Sequence, residues 1–211
     1  MESKLEKALL QRIVPVVVIE SEAQAEPLAE ALLRGGLPIM EVTFRTAAAA
    51  GAIRRVAAKF PEMCVGAGTL LTADQVAGAV DAGAVFGVAP GFNFDNVKVA
   101  QERGLPFMPG VMTPSEIEAA LALGLRTLKF FPAEAAGGAA MLKALAGPYA
   151  HTGVKFVPTG GVSARNMADY LALPVVAAIG GSWMVEKSLI SGGRWDEIER
   201  LTREALAAAG G

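Results

Sequence analysis

Cysteine and histidine each occur once in the 211 residues, and tryptophan and tyrosine twice each. The lone Cys64 has no partner for an internal disulfide. It sits in an apolar, strand-like run and reads as a small buried hydrophobe in a reducing cytoplasm. The lone His151 falls in an expected loop, at the surface. With no HxH, HxxE or cysteine cluster, a histidine-ligated zinc site is not expected. A Ser-His-Asp triad has no well-placed histidine either. No apolar run reaches the ~18 residues that span a bilayer; the longest, 175–185, is broken by Gly180, Gly181 and Ser182. The opening MESKLEKALLQR alternates charges with apolar residues at helical spacing, unlike a secretory signal. Lysine and arginine nearly balance aspartate and glutamate, for a formal net charge of −2. No basic cluster stands out, so no nucleic-acid partner is expected. Rossmann and P-loop fingerprints are missing as well.

What the chain has is apolar material, 53 % of its residues, against ~45–50 % in an ordinary globular domain. The excess is mostly alanine and valine, which suit closely packed helix–strand layers. Strand-like runs at 13–19, 39–45, 64–69, 85–90, 107–111, 127–132, 155–161 and 175–181 begin roughly every 20 to 28 residues, each followed by a helical pattern. Eight such units predict an α/β fold of the closed (β/α)8 TIM-barrel type, as one domain over residues 1–211. Residues 2–12 predict an extra N-terminal helix closing the bottom of the barrel.

Local punctuation agrees with this pattern. Ser21, Thr72, Thr113 and Ser163 stand where helix N-caps belong, and Ser21 with Gln24 and Thr113 with Glu116 have capping-box spacing. Pro114 occupies a first-turn position, where its missing N–H costs nothing. Gly35, Gly83, Gly104 and Gly124 fall where helices should stop. The alanine-rich stretches 47–50 and 135–140 are explained by helix packing.

In this fold, chemistry gathers at the C-terminal ends of the strands. That rule selects Glu41, Thr43, Arg45, Thr69, Lys129, Thr159 and Ser182. Charges inside buried parallel strands are costly unless paired or used. Alternation places Thr127, Lys129 and Phe131 on one face and Leu128 and Phe130 on the other. Helices cover the outside, so Lys129 should point inward. Desolvation penalises an ammonium, which makes a neutral, nucleophilic amine accessible. A nearby Arg45 would act in the same direction and a glutamate partner would oppose it. Glu41, Thr43 and Arg45 share one face of the second strand, Glu41 deep and Arg45 at the rim. A carboxylate beside a Schiff base can shuttle its protons, and a rim guanidinium can hold a substrate carboxylate through two parallel hydrogen bonds. The bland alternative is a buried Lys129–Glu41 ion pair that only fills the interior; such a pair rarely repays its desolvation. Lys155 opens its strand at the bottom face and reads as structural or solvated.

Thr159-Gly160-Gly161 and Gly180-Gly181-Ser182 end the last two strands, whose loops often bind phosphate in such barrels. Glycine lets backbone N–H groups approach an anion, and Ser182 can add a hydroxyl. Tight turns alone would also ask for glycine. Gly66 and Gly68 read more simply, as permitting close packing.

The segments GGLPIMEVTFRT (35–46), VGAGT (65–69), KFFPAEA (129–135), PTGGV (158–162) and GGSW (180–183) resemble the 2-dehydro-3-deoxy-phosphogluconate (KDPG) aldolases, members of which often act also on 4-hydroxy-2-oxoglutarate (KHG). The similarity runs from about Ile13 to the C-terminal helix, in the family's order and spacing. It implies a class I aldolase with no metal or organic cofactor, acting on small-molecule substrates, and a homotrimer. The implied reaction is reversible cleavage of 2-dehydro-3-deoxy-6-phosphogluconate to pyruvate and glyceraldehyde 3-phosphate, with cleavage of KHG to pyruvate and glyoxylate beside it. Residue by residue, Lys129 matches the Schiff-base lysine and Glu41 the general acid/base. Arg45 and Thr69 match the binders of the pyruvate carboxylate, Pro90 and Phe131 the pocket lining, and Thr159 a position of stereochemical control at C4. Gly160, Gly161, Gly181 and Ser182 match the phosphate end. Ala89 stands where many relatives have serine, and Ala136 where asparagine is common. Two readings from other classes also fit the bare pattern: a phosphosugar isomerase or synthase on the same barrel, and a non-catalytic binding module. Neither predicts covalent pyruvate.

Overall fold

The computed structural model describes residues 4–210. Helix α1 (Lys4–Leu9) comes first, burying Leu5, Ala8 and Leu9. It is the expected N-terminal helix in shorter form; Glu2, where the pattern would start it, lies outside the described residues. Strands and helices then alternate: β1 (Ile13–Val17), α2 (Ala25–Arg34), β2 (Ile39–Thr43), α3 (Ala49–Lys59), β3 (Cys64–Gly68), α4 (Ala73–Asp81), β4 (Gly87–Val88) and α5 (Phe94–Glu102). The second half continues with β5 (Phe107–Met108), β6 (Gly110–Val111), α6 (Pro114–Ala122), β7 (Thr127–Phe130), α7 (Gly138–Ala146), β8 (Lys155–Pro158), α8 (Met167–Leu171), β9 (Ile179–Gly181), α9 (Lys187–Ser191) and α10 (Trp195–Ala209).

The α/β alternation matches the sequence pattern, but the closed eight-stranded barrel expected from it does not form. The strands divide into a six-stranded half-barrel, in the order β5-β4-β3-β2-β1-β9, and a three-stranded sheet, β6-β7-β8. All of these pairings are parallel. Two local causes interrupt the ladder. Pro109 has no N–H to donate, so the expected strand 107–111 splits into β5 and β6 and passes from one sheet to the other. Its carbonyl is used instead, accepting from Lys129 N–H at 2.9 Å. On the opposite side, Val176 N–H closes a turn on the Leu173 carbonyl at 2.9 Å. Regular pairing of the expected run 175–181 therefore starts only at Ile179. Isolated bridges, Phe156 to Val176 and Thr159 to Gly180, are what link the two sheets there.

The register decides which side chains meet. Glu41 lies opposite Val16 on one neighbour and Gly66 on the other, and Thr43 lies opposite Gly68. Lys129 lies between Gly110 and Val157. A side chain at Gly66 would collide with the Phe86 ring, its Cβ 2.3 Å away, and one at Gly68 would fall 2.0 Å from Glu41 Oε1. The core around the strands is made of fully buried Ile13, Ile39, Met40, Phe86, Phe130 and Phe156, each worth about 1.5–3 kcal/mol of burial. Leu128 and Phe130 are completely buried on the face of β7 opposite to Lys129, as strand alternation requires.

The caps are a mixed result. Glu116 N–H donates to Thr113 Oγ1 while Thr113 N–H donates to Glu116 Oε2 at 2.8 Å, a complete capping box ahead of Pro114. Thr72 accepts from Gln75 N–H at 3.2 Å, and Ser21 N–H reaches the Gln24 side chain at 3.2 Å. Ser163 opens only a turn, its N–H bound to Asn166 Oδ1 at 2.8 Å, and α8 begins after Asn166. Gly35 does not take the left-handed conformation; Gly36 does, at φ +91°. Gly35 instead lets α10 approach α2, since a Cβ there would lie 2.7 Å from Thr202.

Candidate active site

Strands β2 and β7 belong to different sheets, so contact between them is made by side chains across the interior. Lys129 Nζ donates to Glu41 Oε1 at 3.3 Å, with the side chains 7 % and 4 % exposed. A proton on the amine thus has an acceptor in reach, in a place where bulk water is kept out. The ammonium also stands 5.5 Å from the centroid of the Phe131 ring, within cation–π range. Gly68 is the backbone position that leaves room for this pair, because a side chain there would displace the carboxylate; Gly110, beside Lys129, instead admits the Pro90 carbonyl, 2.0 Å from where its Cβ would lie.

Beyond the end of β2, Arg45 Nε donates to Thr43 Oγ1 at 3.3 Å, and that hydroxyl donates to the Val17 carbonyl at 2.9 Å. The buried threonine thereby ties the guanidinium to the rim. A cavity of about 520 Å³ opens there, bordered by Arg45, Phe131, Thr159, Gly160, Gly161, Gly181 and Ser182 among others. Seven of the residues given site roles from the sequence thus share one space. Lys129 and Glu41 are not part of its lining; Phe131 stands between the cavity and the lysine.

The glycine pairs behave differently from one another. Gly160 and Gly161 adopt φ +98° and +79°, a conformation that other residues reach only with strain. The Gly161 backbone packs so closely on Glu134 that an added Cβ would lie 2.6 Å from its Cβ. Gly180 makes room for Thr159, and Gly181 for the Trp183 ring, at 2.2 and 1.9 Å from an added Cβ. Trp183 therefore packs against the Gly181 backbone.

Thr69 and Pro90 do not join the main cavity. Thr69, immediately after β3, has φ +56°, a backbone strain of about 1–3 kcal/mol that persists only where the surroundings enforce it. Pro90 lines a separate cleft of about 220 Å³ with Leu70, Leu71 and Asn96. Its neighbour Ala89 is buried. His151 and Lys155 are exposed, and Lys155 Nζ caps the Pro174 carbonyl at 2.8 Å. Burial pushes the Cys64 thiol up to about 11, unsuited to a nucleophile near neutral pH. Burial first, and then the hydrogen bond from Tyr170 Oη to Glu134 Oε1, hold the Tyr170 phenol well above its ordinary range. No group of three or more His, Cys, Asp or Glu among the described residues could hold a metal ion. No helix among them is long and apolar enough to cross a membrane.

Val16, Val18, Glu186, Lys187 and Ser188 also line the cavity, and the sequence reading passed over all five. Two signals were present. Strand β1 lies between β2 and β9, so its end must border anything reaching from Arg45 to Ser182. Residues 186–188 open α9 directly after the turn from β9.

The family model described as "Aldolase: KDPG and KHG aldolase" matches residues 1–201. The 2-dehydro-3-deoxy-phosphogluconate aldolase of Haemophilus influenzae is 48 % identical over 202 residues, covering 96 % of this chain and 94 % of that protein. Among solved structures, the KDPG aldolase of Legionella pneumophila, with pyruvate captured at low pH as a covalent carbinolamine intermediate, superposes with a TM-score of 0.92 at 39 % identity, covering 97 % of this chain and 99 % of that one. The 2-keto-3-deoxy-6-phosphogluconate aldolase of Zymomonas mobilis ZM4 with 3-phosphoglycerate has a TM-score of 0.87 at 38 % identity, covering 98 % and 96 %. With a family match over almost its whole length, this chain belongs to the KDPG and KHG aldolase family.

Proposed function

We propose that this chain is a class I aldolase that reversibly cleaves 2-dehydro-3-deoxy-6-phosphogluconate to pyruvate and glyceraldehyde 3-phosphate, with Lys129 as covalent nucleophile. The carrying observation is the buried Lys129 Nζ, 3.3 Å from Glu41 Oε1, beside a cavity edged by Arg45 and by Gly160, Gly161 and Ser182. Covalent pyruvate in the Legionella relative supports the same chemistry here.

Proton transfer from Nζ to the Glu41 carboxylate yields the neutral amine, which attacks the C2 carbonyl to form a carbinolamine. Glu41 returns the proton to the C2 hydroxyl, water departs, and a protonated imine remains. That imine accepts the electron pair of the C3–C4 bond as the C4 hydroxyl loses its proton, releasing the aldehyde and leaving an enamine. Protonation at C3 and attack of water on the imine carbon release pyruvate and restore the lysine. Glu41 takes up and returns the proton at each of these steps, a role worth about 10²–10⁴-fold, which its contact with Nζ supports. Arg45 binds the substrate carboxylate, with Thr69 shaping that end through the strained turn after β3. Phe131 and Pro90 wall the reacting centre, Thr159 meets the C4 hydroxyl, and the 160–161 and 181–182 loops receive the phosphate. KHG shares the carboxylate and keto groups, so its cleavage to pyruvate and glyoxylate follows from the same lysine without the phosphate contacts.

Cytoplasmic action as a homotrimer belongs to this reading. Leu71, Phe94 and Met112 are exposed in the segments following β3, β4 and β6, a rim that further copies of the chain would cover. Sedimentation equilibrium tests it, and a purely monomeric species removes it.

The chemistry is tested by incubating wild type and Lys129→Ala with pyruvate and borohydride, then weighing the intact chains. One reduced pyruvate on wild type, and none on the variant, is the expected result. No adduct on folded wild type would sink the Schiff-base mechanism.

A further inference from the structure

The phosphate loops supply backbone groups and one hydroxyl, but a phosphoryl group carries nearly two negative charges. Among the cavity-lining residues the cations are Arg45 and Lys187, and the anion is Glu186. Arg45 follows β2 and Lys187 follows β9, with β1 between them. Two strand spacings separate β2 from β9 by roughly 10 Å, and Arg45 and Lys187 border the same cavity, so a long acid with a terminal phosphate can meet a cation at each end. Arg45 is held at its end by Thr43. Lys187 is held by Glu20, Nζ to Oε1 at 2.7 Å, with both side chains more than half exposed. An exposed pair of this kind is weak, so the ammonium can leave Glu20 for a stronger acceptor at little cost. Glu186, beside it on the same wall, would repel a phosphate and makes a compensating cation more necessary.

Resting on the aldolase reading above, we propose that Lys187 is a specificity-determining residue that recognises the phosphoryl end of the substrate, with Glu20 as the counter-ion it exchanges for that group. Arg45 and Lys187 then select a chain whose second anion is a distant phosphoryl group, over KHG, whose two carboxylates lie closer together. Backbone N–H groups shape the phosphate seat, and Lys187 sets how strongly charge counts in it.

The test compares kcat/KM for 2-dehydro-3-deoxy-6-phosphogluconate with that for KHG in wild type, Lys187→Met, Lys187→Arg and Glu20→Gln. Binding of inorganic phosphate is measured by calorimetry on the same proteins. Lys187→Met should lower the preference for the phosphorylated substrate about tenfold and weaken inorganic phosphate by a similar factor, as for loss of a charge-assisted hydrogen bond. Lys187→Arg should restore both, and Glu20→Gln should hold or raise the preference. An unchanged preference and unchanged phosphate binding in Lys187→Met would overturn the proposal. Failure of the aldolase reading has its own signature, a wild type that yields no reducible pyruvate adduct, and that measurement does not involve Lys187.

Discussion

Gly68 lies directly against the Glu41 carboxylate: a Cβ on Gly68 would sit 2.0 Å from Oε1 and 2.6 Å from Cγ. The two residues occupy neighbouring strands, β3 and β2, two positions out of register. The absent side chain on one strand is thus the space in which the acid on the other stands beside Lys129.

Gly68→Ala should therefore act on catalysis more than its size suggests. The carboxylate must move away from Nζ or the strands must part, an overpacking cost of about 1–3 kcal/mol. If the acid moves, proton shuttling suffers and kcat should fall about 100-fold, while the lysine still forms a slow pyruvate adduct. Kinetics and borohydride trapping check this together. Wild-type kcat in Gly68→Ala would show that the site has slack the geometry does not reveal.

The Lys129–Glu41 pair separates stability from activity. Removing one partner of a buried ion pair leaves the other charge uncompensated, at about 3–5 kcal/mol. Lys129→Met should be destabilised by that order in urea unfolding. The double variant Lys129→Met/Glu41→Leu should regain most of the loss, because two apolar groups fill the same space. Neither variant should form the adduct. Recovered stability with no activity would mark the pair as retained for chemistry. A double variant no more stable than the single one would mark it as part of the packing.

Much of this site was legible because strand alternation has only two faces. Once 127–132 was read as a strand between apolar flanks, Lys129 had to share a face with Thr127 and Phe131, and Glu41 with Thr43 and Arg45. The sheet's closure was not legible. Periodicity records that a segment is extended, but it does not record which N–H groups find partners. Pro109 breaks the ladder within a run that otherwise looks uniform, and the turn at Val176 delays β9. Asn93 was also passed over, although it caps α5 by accepting from Asp95 and Asn96 N–H. It stands between two aromatic residues, where an apolar pattern hides a cap. Lys187 escaped because it follows its strand by several residues, past a 3-10 turn at Trp183–Val185, beyond the strand-end positions that the pattern selects.

Cys64 gives a pH prediction. Burial raises its thiol from 9.0 to about 11, with Lys4 acting weakly in the other direction. A folded-state value above the unfolded one means that the thiol's contribution is complete below pH 9 and is lost as pH rises through about 11. Other lysines and tyrosines titrate in the same window, so the comparison is with Cys64→Ala. Across that window wild type should lose about 2–3 kcal/mol more stability than the variant. The native thiol should also resist iodoacetamide at pH 8 until the chain is unfolded. Equal pH slopes for the two proteins would show that the thiol is hydrated in the native state.

Thr159 and Gly180 meet at the bridge that joins the two sheets, where a Cβ on Gly180 would lie 2.2 Å from Thr159 Oγ1 and 3.1 Å from its Cβ. Gly180→Ala should push that hydroxyl out of place, costing about 1–3 kcal/mol of stability, and should blur the discrimination between the C4 epimers. Thr159→Ala removes the nearest atom of the clash, so Gly180→Ala should cost less in that background. Residues in contact show such coupling at about 0.5–3 kcal/mol. Urea unfolding of the four proteins measures it, and kcat/KM ratios for the gluconate- and galactonate-derived substrates follow the stereochemical effect. If the two substitutions add without coupling, the strand edges relax independently and Thr159 is not held by Gly180. If stability couples while the epimer ratio does not move, Thr159 is a packing residue of the bridge and selection at C4 lies elsewhere in the cavity.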